Sequence, residues 1–244
     1  MKIESPKNDL QPFLKLFDRF KPLKKLVKKN PLILDIGANV GDSIFEFNKI
    51  LKPKKIYAFE PQKHCVKILH KRFGKNKRIK IYDYAIDTKS WSKIFYEQGP
   101  GDVHAGFYKV NIKSKDHIDL KNKKIKNKDY INQINNKVLV KTISLDQFIN
   151  KENIKRINLL KIDTEGHEEK VLKSLKKNIN KVDIILLEMT FWDYYEKTVN
   201  FFSIEKIIRN HFSLYDISYI AKNPKNFRTD YIDVIYVNKL LDIK

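Results

Sequence analysis

A short apolar segment that ends in an acid and leads into a glycine turn constrains the fold of this 244-residue chain more than any other feature. Residues 32–36 (Leu-Ile-Leu-Asp-Ile) have the composition of a buried strand, and Gly37 and Gly41 bracket the turn that follows. Glycine accepts positive φ and lets a ligand approach the backbone, and the polar edge from Asn39 onward can cap a helix predicted over 42–51. The segment therefore predicts the first strand, turn and helix of an α/β fold, with a polar ligand at the turn.

A second strand, predicted over 55–60, also ends in an acid. Its Glu60 lies 25 positions beyond Asp35, which leaves room for one helix and one strand. In nucleoside-binding α/β folds, an acid about 20 residues past the glycine turn often bonds the ribose hydroxyls. The spacing of Gly37 and Gly41 is G-x-x-x-G and departs from the dinucleotide fingerprint G-x-G-x-x-G, so the two strands predict a nucleoside-containing ligand of another kind.

Strand-like and helix-like segments alternate along the chain, which indicates one α/β domain with parallel strands and right-handed crossovers. We assign this domain to residues 31–240. Residues 1–30 form a predicted N-terminal helical extension, which packs on the domain or acts as a lid or dimer arm, and residues 98–137 form a loop insertion, either a lid or a surface feature. Further strands are predicted over 79–85, 92–96, 138–142, 157–163, 182–189, 213–219 and 231–237, the last two as an antiparallel hairpin, and helices over 62–73, 144–148, 167–177 and 201–210.

Acids recur where the predicted strands end. Ligands of open α/β sheets bind at the carboxyl ends of the strands, so residues at these ends are candidates for one site. Each acid alone could be a cap or a solvated strand end, but together they predict a single acidic cleft within a basic protein. They are Asp35, Glu60, Asp83, Asp163 and Glu188.

The densest group of polar residues is the run Asp163-Thr-Glu-Gly-His167. A histidine at a helix N-terminus feels the positive end of the helix dipole, which disfavours its protonated form. A neutral imidazole is what a general base needs at neutral pH, so His167 is a candidate base. The alternative is structural: Thr164 caps the helix and the acids complement its dipole.

Lys161 lies in the otherwise apolar strand that precedes this run. A buried lysine needs a partner, and Asp163 and Glu188 are the candidates, unless the stem extends to the sheet edge. Asp163, Glu165 and Glu188 could hold Mg²⁺ through carboxylate oxygens. The six histidines are scattered and no zinc-ligand spacing is present, so we predict no metal.

The chain is strongly basic, with a formal net charge of +21. Lysine far outnumbers arginine and is spread along the whole chain, and aromatic residues do not alternate with it as stacking platforms would. The charge is therefore either a bias of composition or an attraction to an anionic surface, such as a nucleic acid, a membrane or an acidic glycan. No apolar run is long enough to span a membrane, and the single cysteine, Cys65, is consistent with a cytoplasmic location.

Five segments, in this order, resemble motifs of the FkbM family of class I S-adenosylmethionine-dependent methyltransferases. The resemblance implies a Rossmann-like fold: a seven-stranded, mostly parallel sheet with an antiparallel last strand and helices on both faces. It also implies methyl transfer to a hydroxyl of a sugar, glycan or glycolipid. The segments are Leu34–Asp42, Ala58–Pro61, Asp83–Ile86, Thr142–Asp146 and Leu160–Glu168.

The alternative function is methylation or binding of nucleic acid on the same fold. We expect nucleic acid not to be the partner, because the acceptor loop lacks the Asn/Asp-Pro-Pro-aromatic motif that resembles those of base N-methylating enzymes. The run Glu188-Met-Thr-Phe191 stands nearby instead.

The resemblance also implies roles for single residues. Glu60 would hold the ribose, with Pro61 beside it, and the glycine turn would hold the methionine part. Asp163, Glu165 and His167 would line the acceptor side together with Lys161, with His167 or Asp163 as the base. The remaining cofactor-site residues so implied are Asp35, Gly37, Asn39 and Gly41 around the turn, Asp83, Tyr84 and Ala85 at the adenine, and Asp163.

Overall fold

Two sheets and seven helical segments make up the part of the chain that the computed structural model describes, which is residues 19–98, 104–114, 134–191, 194–197, 201–223 and 226–241. The strands are β1 Leu32–Ile36, β2 Lys55–Phe59, β3 Ile79–Tyr82, β4 Tyr84–Ile86, β5 Ser92–Glu97, β6 Asn136–Ile143, β7 Leu159–Ile162, β8 Ile184–Thr190, β9 Phe212–Lys222 and β10 Thr229–Asn238. The helices are α1 Leu23–Leu26, α2 Asp42–Ile50, α3 Lys63–Phe73, α4 Leu145–Lys151, α5 Glu168–Lys173 and α6 Phe201–Ile208, with a 3₁₀ segment over Lys176–Lys181.

The large sheet has seven strands in the order β3-β2-β1-β7-β8-β10-β9. The first five are parallel to one another, whereas β10 runs antiparallel to both of its neighbours. This arrangement confirms the predicted mostly parallel sheet with an antiparallel last strand and the predicted hairpin. From β1 the chain moves outward through β2 and β3, and it later moves the other way through β7 and β8. The resulting switch point between β1 and β7 is where open α/β sheets bind ligands.

Helices cover both faces of the large sheet, as predicted. Successive side chains of a strand point to opposite faces, so a strand covered on both sides is apolar throughout. In β1, Ile33 packs in the core that includes residues of α1, α2 and α3, whereas Leu34 packs in the core that includes α4, α5 and α6. None of the described helices has the length and apolar composition that crossing a membrane requires.

The single strand predicted over 79–85 is wrong. The chain breaks at Asp83, which is exposed, so that β3 belongs to the large sheet and β4 to a second sheet of order β4-β6-β5. The reason is the length of the neighbouring strand: β2 ends at Phe59, opposite Tyr82, and residues beyond Tyr82 have no ladder partner there. The chain therefore leaves the large sheet and pairs with β6 instead.

The helix predicted over 167–177 is also too long. It ends at Lys173, and a 3₁₀ segment follows whose first residue, Lys176, adopts a φ of 49°. Positive φ is incompatible with a continuing α-helix, which explains the break.

The described part of the N-terminal extension packs on the domain. Leu23 and Val27 are buried in the same core as α2, and the ring of Phe20 meets that of Phe47 edge-on at 5.4 Å. Residues 1–18 lie outside the described residues. So do residues 99–103 and 115–133 of the predicted insertion.

Candidate functional site

A cavity of about 360 Å³ lies at the carboxyl ends of the central strands, at the switch point. It is lined by the ends of β1, β2, β7 and β8, by β4 and β5 of the small sheet, and by Arg19 and Phe20 of the N-terminal segment. The predicted site residues that line it are Gly37, Asn39, Glu60, Pro61, Tyr84, Ala85, Lys161, Asp163, Glu165 and His167.

Three predicted cofactor residues do not line the cavity. Asp35 is completely buried beneath it, and Asp83 is exposed outside it. Gly41 has a φ of 90°, and a Cβ there would lie 2.5 Å from the ring of Phe73 and 2.8 Å from the side chain of Leu69. Glycine is therefore needed at this position for packing against α3.

Gly37 shapes the turn at the cavity itself. Its φ is 77°, and a Cβ on it would lie 1.8 Å from the carbonyl oxygen of Asp163. The end of β7 thus passes so close to the turn that only glycine fits. The sequence predicts the close approach of a ligand at this turn, whereas the group that approaches Gly37 in the structure is the backbone of Asp163.

Backbone N–H groups hold the carboxylate of Glu60, and one of them belongs to the glycine turn after β1. Its Oε2 accepts a hydrogen bond from the backbone N–H of Asn39 (2.9 Å), and its Oε1 accepts one from the N–H of Gln62 (2.8 Å). Burial raises the pKa of the Glu60 carboxyl to about 7, although both hydrogen bonds favour the ionised form. The two bonds leave lone pairs on each oxygen, so the carboxylate can still accept hydrogen bonds from a pair of hydroxyls. We call Gly37, Asn39 and Glu60 the turn side of the cavity.

Lys161 connects the turn to the strand ends. Its Nζ donates to the carbonyl oxygen of Gly37 (2.7 Å) and lies 3.4 Å from Oδ1 of Asp35 and 3.3 Å from Oδ2 of Asp163. Burial alone would lower the pKa of this ammonium group, but the two carboxylates raise it above its ordinary value. Of the two predicted partners the structure selects Asp163. It adds Asp35, which stands directly opposite Lys161 in the β1–β7 ladder.

His167 is almost completely buried, at 1% exposure, and its ring packs 4.4 Å from that of Phe107. Its Nε2 lies 3.4 Å from Oδ1 of Asp87, and neither ring nitrogen has a hydrogen-bond partner among the described residues. Burial lowers the pKa of the imidazole, although Asp87 opposes this shift. Burial, rather than the dipole of the short helix α5, is the main cause that disfavours the protonated imidazole.

Thr164 does not cap α5. The helix begins after His167, which makes no side-chain cap. Instead, Oε1 of Glu168 reaches back and accepts hydrogen bonds from the N–H and hydroxyl of Thr164 and from the N–H of Gly166, at 3.0 to 3.1 Å. One buried carboxylate thus fixes the loop that presents Asp163 and Glu165.

Asp87 was not among the predicted site residues. Burial alone would raise the pKa of its carboxyl, but His167, the Nζ of Lys93 at 2.9 Å and the N–H of Thr88 at 2.7 Å together lower it. It is an ionised carboxylate that faces the imidazole.

Four carboxylates crowd the other side of the cavity, which we call the carboxylate side: Asp163, Glu165, Glu188 and Asp233. Oxygens of the first three lie within 4.8 Å of one another, a separation that a divalent cation could bridge, as the sequence suggested for Mg²⁺. Burial and the neighbouring acids raise the pKa of Glu188 well above its ordinary value, and burial raises that of Asp233 to about 6.

Arg19 supplies positive charge to the carboxylate side. Its guanidinium forms an ion pair with Asp233, lies 3.6 Å from Glu188 and stacks 5.2 Å from the ring centroid of Tyr219. Glu165 accepts a hydrogen bond from the hydroxyl of Tyr195. Tyr195 is buried, so its ring packs in the protein.

Comparisons with known proteins agree with this geometry. Residues 35–214 match the model of the methyltransferase FkbM domain, which is more than half of the chain. The 2-O-methyltransferase NoeI of Sinorhizobium fredii is 24% identical over 173 residues, covering 70% of this chain and 68% of the relative.

Two of the solved structures to which the chain is similar are the following. M. capricolum TrmK in complex with S-adenosylhomocysteine has a TM-score of 0.49 and 13% identity, covering 93% of this chain and 71% of that chain. An rRNA methylase from Streptococcus thermophilus has a TM-score of 0.46 and 10% identity, covering 98% and 99%. Neither likeness bears on the acceptor of this protein.

The glycine turn, the acid of the second strand and the mostly parallel seven-stranded sheet are those expected of one family, and the domain match over residues 35–214 establishes it. The chain belongs to the FkbM methyltransferase family and is an S-adenosylmethionine-dependent methyltransferase.

Proposed function

We propose that this enzyme methylates a hydroxyl group of a sugar, glycan or glycolipid, with His167 as the general base. The observation that carries the proposal is a buried imidazole with a lowered pKa in the wall of the same cavity as Glu60 and the glycine turn. A hydroxyl acceptor gains from a base that removes its proton as the new bond forms, and a neutral imidazole is suited to that task near neutral pH.

The turn side of the cavity fits the cofactor. Glu60 offers free lone pairs to the two ribose hydroxyls, and Gly37 and Asn39 of the turn line the cavity beside it. When bound, S-adenosylmethionine supplies a methyl group on a sulfonium cation. The excess of carboxylates on the opposite side favours that positive charge electrostatically.

Each residue on the acceptor side then has a stated task. His167 would accept the hydroxyl proton, which leaves the acceptor oxygen free to take the methyl group that S-adenosylmethionine would supply. Asp87 stabilises the imidazolium that results, because its ionised carboxylate lies 3.4 Å from Nε2. Lys161 holds Asp163 and the turn in a fixed relation. Asp163 remains the alternative base, since it lines the cavity and is partly exposed.

Two observations favour a neutral, hydroxyl-rich acceptor over a nucleic acid. Carboxylates accept hydrogen bonds from sugar hydroxyls, and the carboxylate side presents four of them against the two cations Arg19 and Lys161. A phosphodiester backbone would meet repulsion there, whatever the charge of the outer surface. The relative NoeI, named a 2-O-methyltransferase, also supports oxygen as the methylated atom.

Methyl transfer to a panel of acceptors tests the proposal. We expect label from methyl-labelled S-adenosylmethionine to enter oligosaccharides or glycolipids as an alkali-stable ether, and His167→Ala to abolish most of it while cofactor binding persists. Incorporation into RNA or DNA in preference to every glycan would overturn the proposal and establish the alternative function.

A further inference from the structure

The outward face of the small sheet carries an apolar pair that the fold does not require. Ile94 of β5 and Leu139 of β6 stand directly opposite each other in the antiparallel ladder and are 47% and 70% exposed. Side chains at adjacent positions point the other way, and there Phe95 and Val140 are buried. The core of this sheet is therefore filled from the inward face, and the outward pair adds nothing to it.

Lysines flank this pair on both sides. On this face of the sheet, the next ladder pairs on either side of Ile94–Leu139 are Ser92 with Lys141 and Tyr96 with Lys137, and both lysines are exposed. Among the described residues of β5 and β6, no outward position carries an acid, because Glu97 alternates to the inward face. The face thus combines exposed apolar side chains with positive charge alone.

The side chains of this face are of the kinds found at a bilayer surface. Aliphatic side chains and lysine suit the interface of a lipid bilayer, where the apolar parts enter the acyl boundary and the ammonium groups meet lipid phosphates. Ile94, Leu139, Lys137 and Lys141 form what we call the sheet face.

We propose that the sheet face docks this enzyme on an anionic lipid bilayer. Charge complementarity favours this occupant over a second copy of the chain, because two copies would bring their lysines together. The cytoplasmic location that the sequence predicts would offer such a surface, since the cytoplasmic leaflet carries anionic lipids.

The proposal narrows the acceptor to a glycolipid, and this part rests on the proposed function. Phe95 and Ala85, which lie on the inward face of the same sheet, line the cavity. Docking would therefore hold the cavity one sheet thickness from the headgroups, where a lipid-linked sugar is concentrated.

Vesicle sedimentation tests docking without any acceptor, so a failure of docking is distinguishable from a failure of the proposed function. The probes are vesicles of phosphatidylcholine with phosphatidylglycerol and vesicles of phosphatidylcholine alone, at physiological salt. We expect the protein to sediment with the anionic vesicles and to stay in solution with the neutral ones. Leu139→Glu should lower the partition coefficient about tenfold, through loss of apolar insertion and repulsion by lipid phosphate.

Phe202→Glu is the matched control, because Phe202 is 80% exposed on α6, outside the sheet face. It should sediment like the unaltered protein. All three proteins should keep the same circular dichroism, since each substitution is at an exposed position. The proposal is overturned if the unaltered protein ignores anionic vesicles or if Leu139→Glu binds them equally well. It is also overturned if light scattering shows that Leu139→Glu dissociates a dimer while vesicle binding is absent.

Discussion

The two sides of the cavity are built in opposite ways. On the turn side, the one carboxylate, Glu60, accepts hydrogen bonds from backbone N–H groups close to it in the chain or in the facing turn. On the carboxylate side, four acids lie close together, and ion pairs with Arg19 and Lys161 offset part of their charge. The turn side therefore keeps its shape through backbone geometry, whereas the carboxylate side depends on charges contributed by segments that are distant in the chain.

We expect the largest effect from a substitution that breaks the contact between the two sides. Gly37→Ala places a methyl group 1.8 Å from the Asp163 carbonyl oxygen at a φ of 77°. We expect a loss of about 4 kcal/mol or more in the free energy of unfolding, because neither backbone can yield cheaply. Urea denaturation measures it. Gly106→Ala is the control, since its Cβ would lie 3.2 Å from the nearest atom. A Gly37→Ala protein as stable as that control would show that the approach is not tight.

We expect the next largest effect from a substitution that removes Lys161, the cation that contacts both sides. Lys161→Met leaves two carboxylates, Asp35 and Asp163, without their ammonium partner. Because Lys161 is only 7% exposed, we expect a loss of about 3–5 kcal/mol in unfolding free energy. Lys93→Met, whose side chain is 30% exposed beside Asp87, should cost clearly less. Equal losses in thermal denaturation would contradict the central position of Lys161.

A third substitution separates catalysis from cofactor binding. His167→Ala should lower kcat by about 100-fold or more, which is typical for loss of a general base. The affinity for S-adenosylmethionine should stay within about twofold, because His167 does not belong to the turn side. Asp87→Asn should lower kcat less and shift the acidic limb of the pH–rate profile downward, since the imidazolium loses its carboxylate. If His167→Ala keeps its kcat, Asp163 becomes the base.

The smallest effect concerns pH. The pKa of Glu60 is about 7 in the folded protein, well above its ordinary value near 4.5. Ionising this buried group destabilises the folded protein, so the free energy of unfolding falls as pH rises from about 4.5 to about 7. Cofactor affinity should change the other way, because the ribose hydroxyls need an ionised acceptor. We expect it to fall about tenfold per pH unit below 7. A flat affinity profile between pH 5 and 8, measured by calorimetry, would rule this out.

Much of the turn side could be predicted from the sequence because its parts are close in the chain. Strand, glycine turn and acid follow one another, and β1 and β2 occur nearly where their patterns placed them. Gly41 shows the limit of such reasoning. Its spacing from Gly37 predicts a role in cofactor binding, yet the structure needs glycine there because a Cβ would collide with Phe73 and Leu69 of α3.

The carboxylate side could be predicted only in part, because it is assembled from separated segments. Asp163 and Glu188 were found as strand ends, but nothing near Arg19 indicates that it reaches across to them. Asp233 left a signal, an acid within the apolar strand β10. Asp87 could also have been found, because it directly follows β4. The sequence predicts one strand in place of β3 and β4, so it assigns the strand-end acid to Asp83 instead.

Calorimetric titration with S-adenosylhomocysteine at pH 8, on the unaltered protein and on Glu60→Ala, tests the central claim that the turn side holds the cofactor. We expect saturable one-to-one binding to the unaltered protein and an affinity at least about 50-fold weaker for Glu60→Ala, since two hydrogen bonds to a charged acceptor are lost. Asp83→Ala, at an exposed position outside the cavity, should bind like the unaltered protein. Equal affinities for Glu60→Ala and the unaltered protein would contradict the claim and place the cofactor elsewhere.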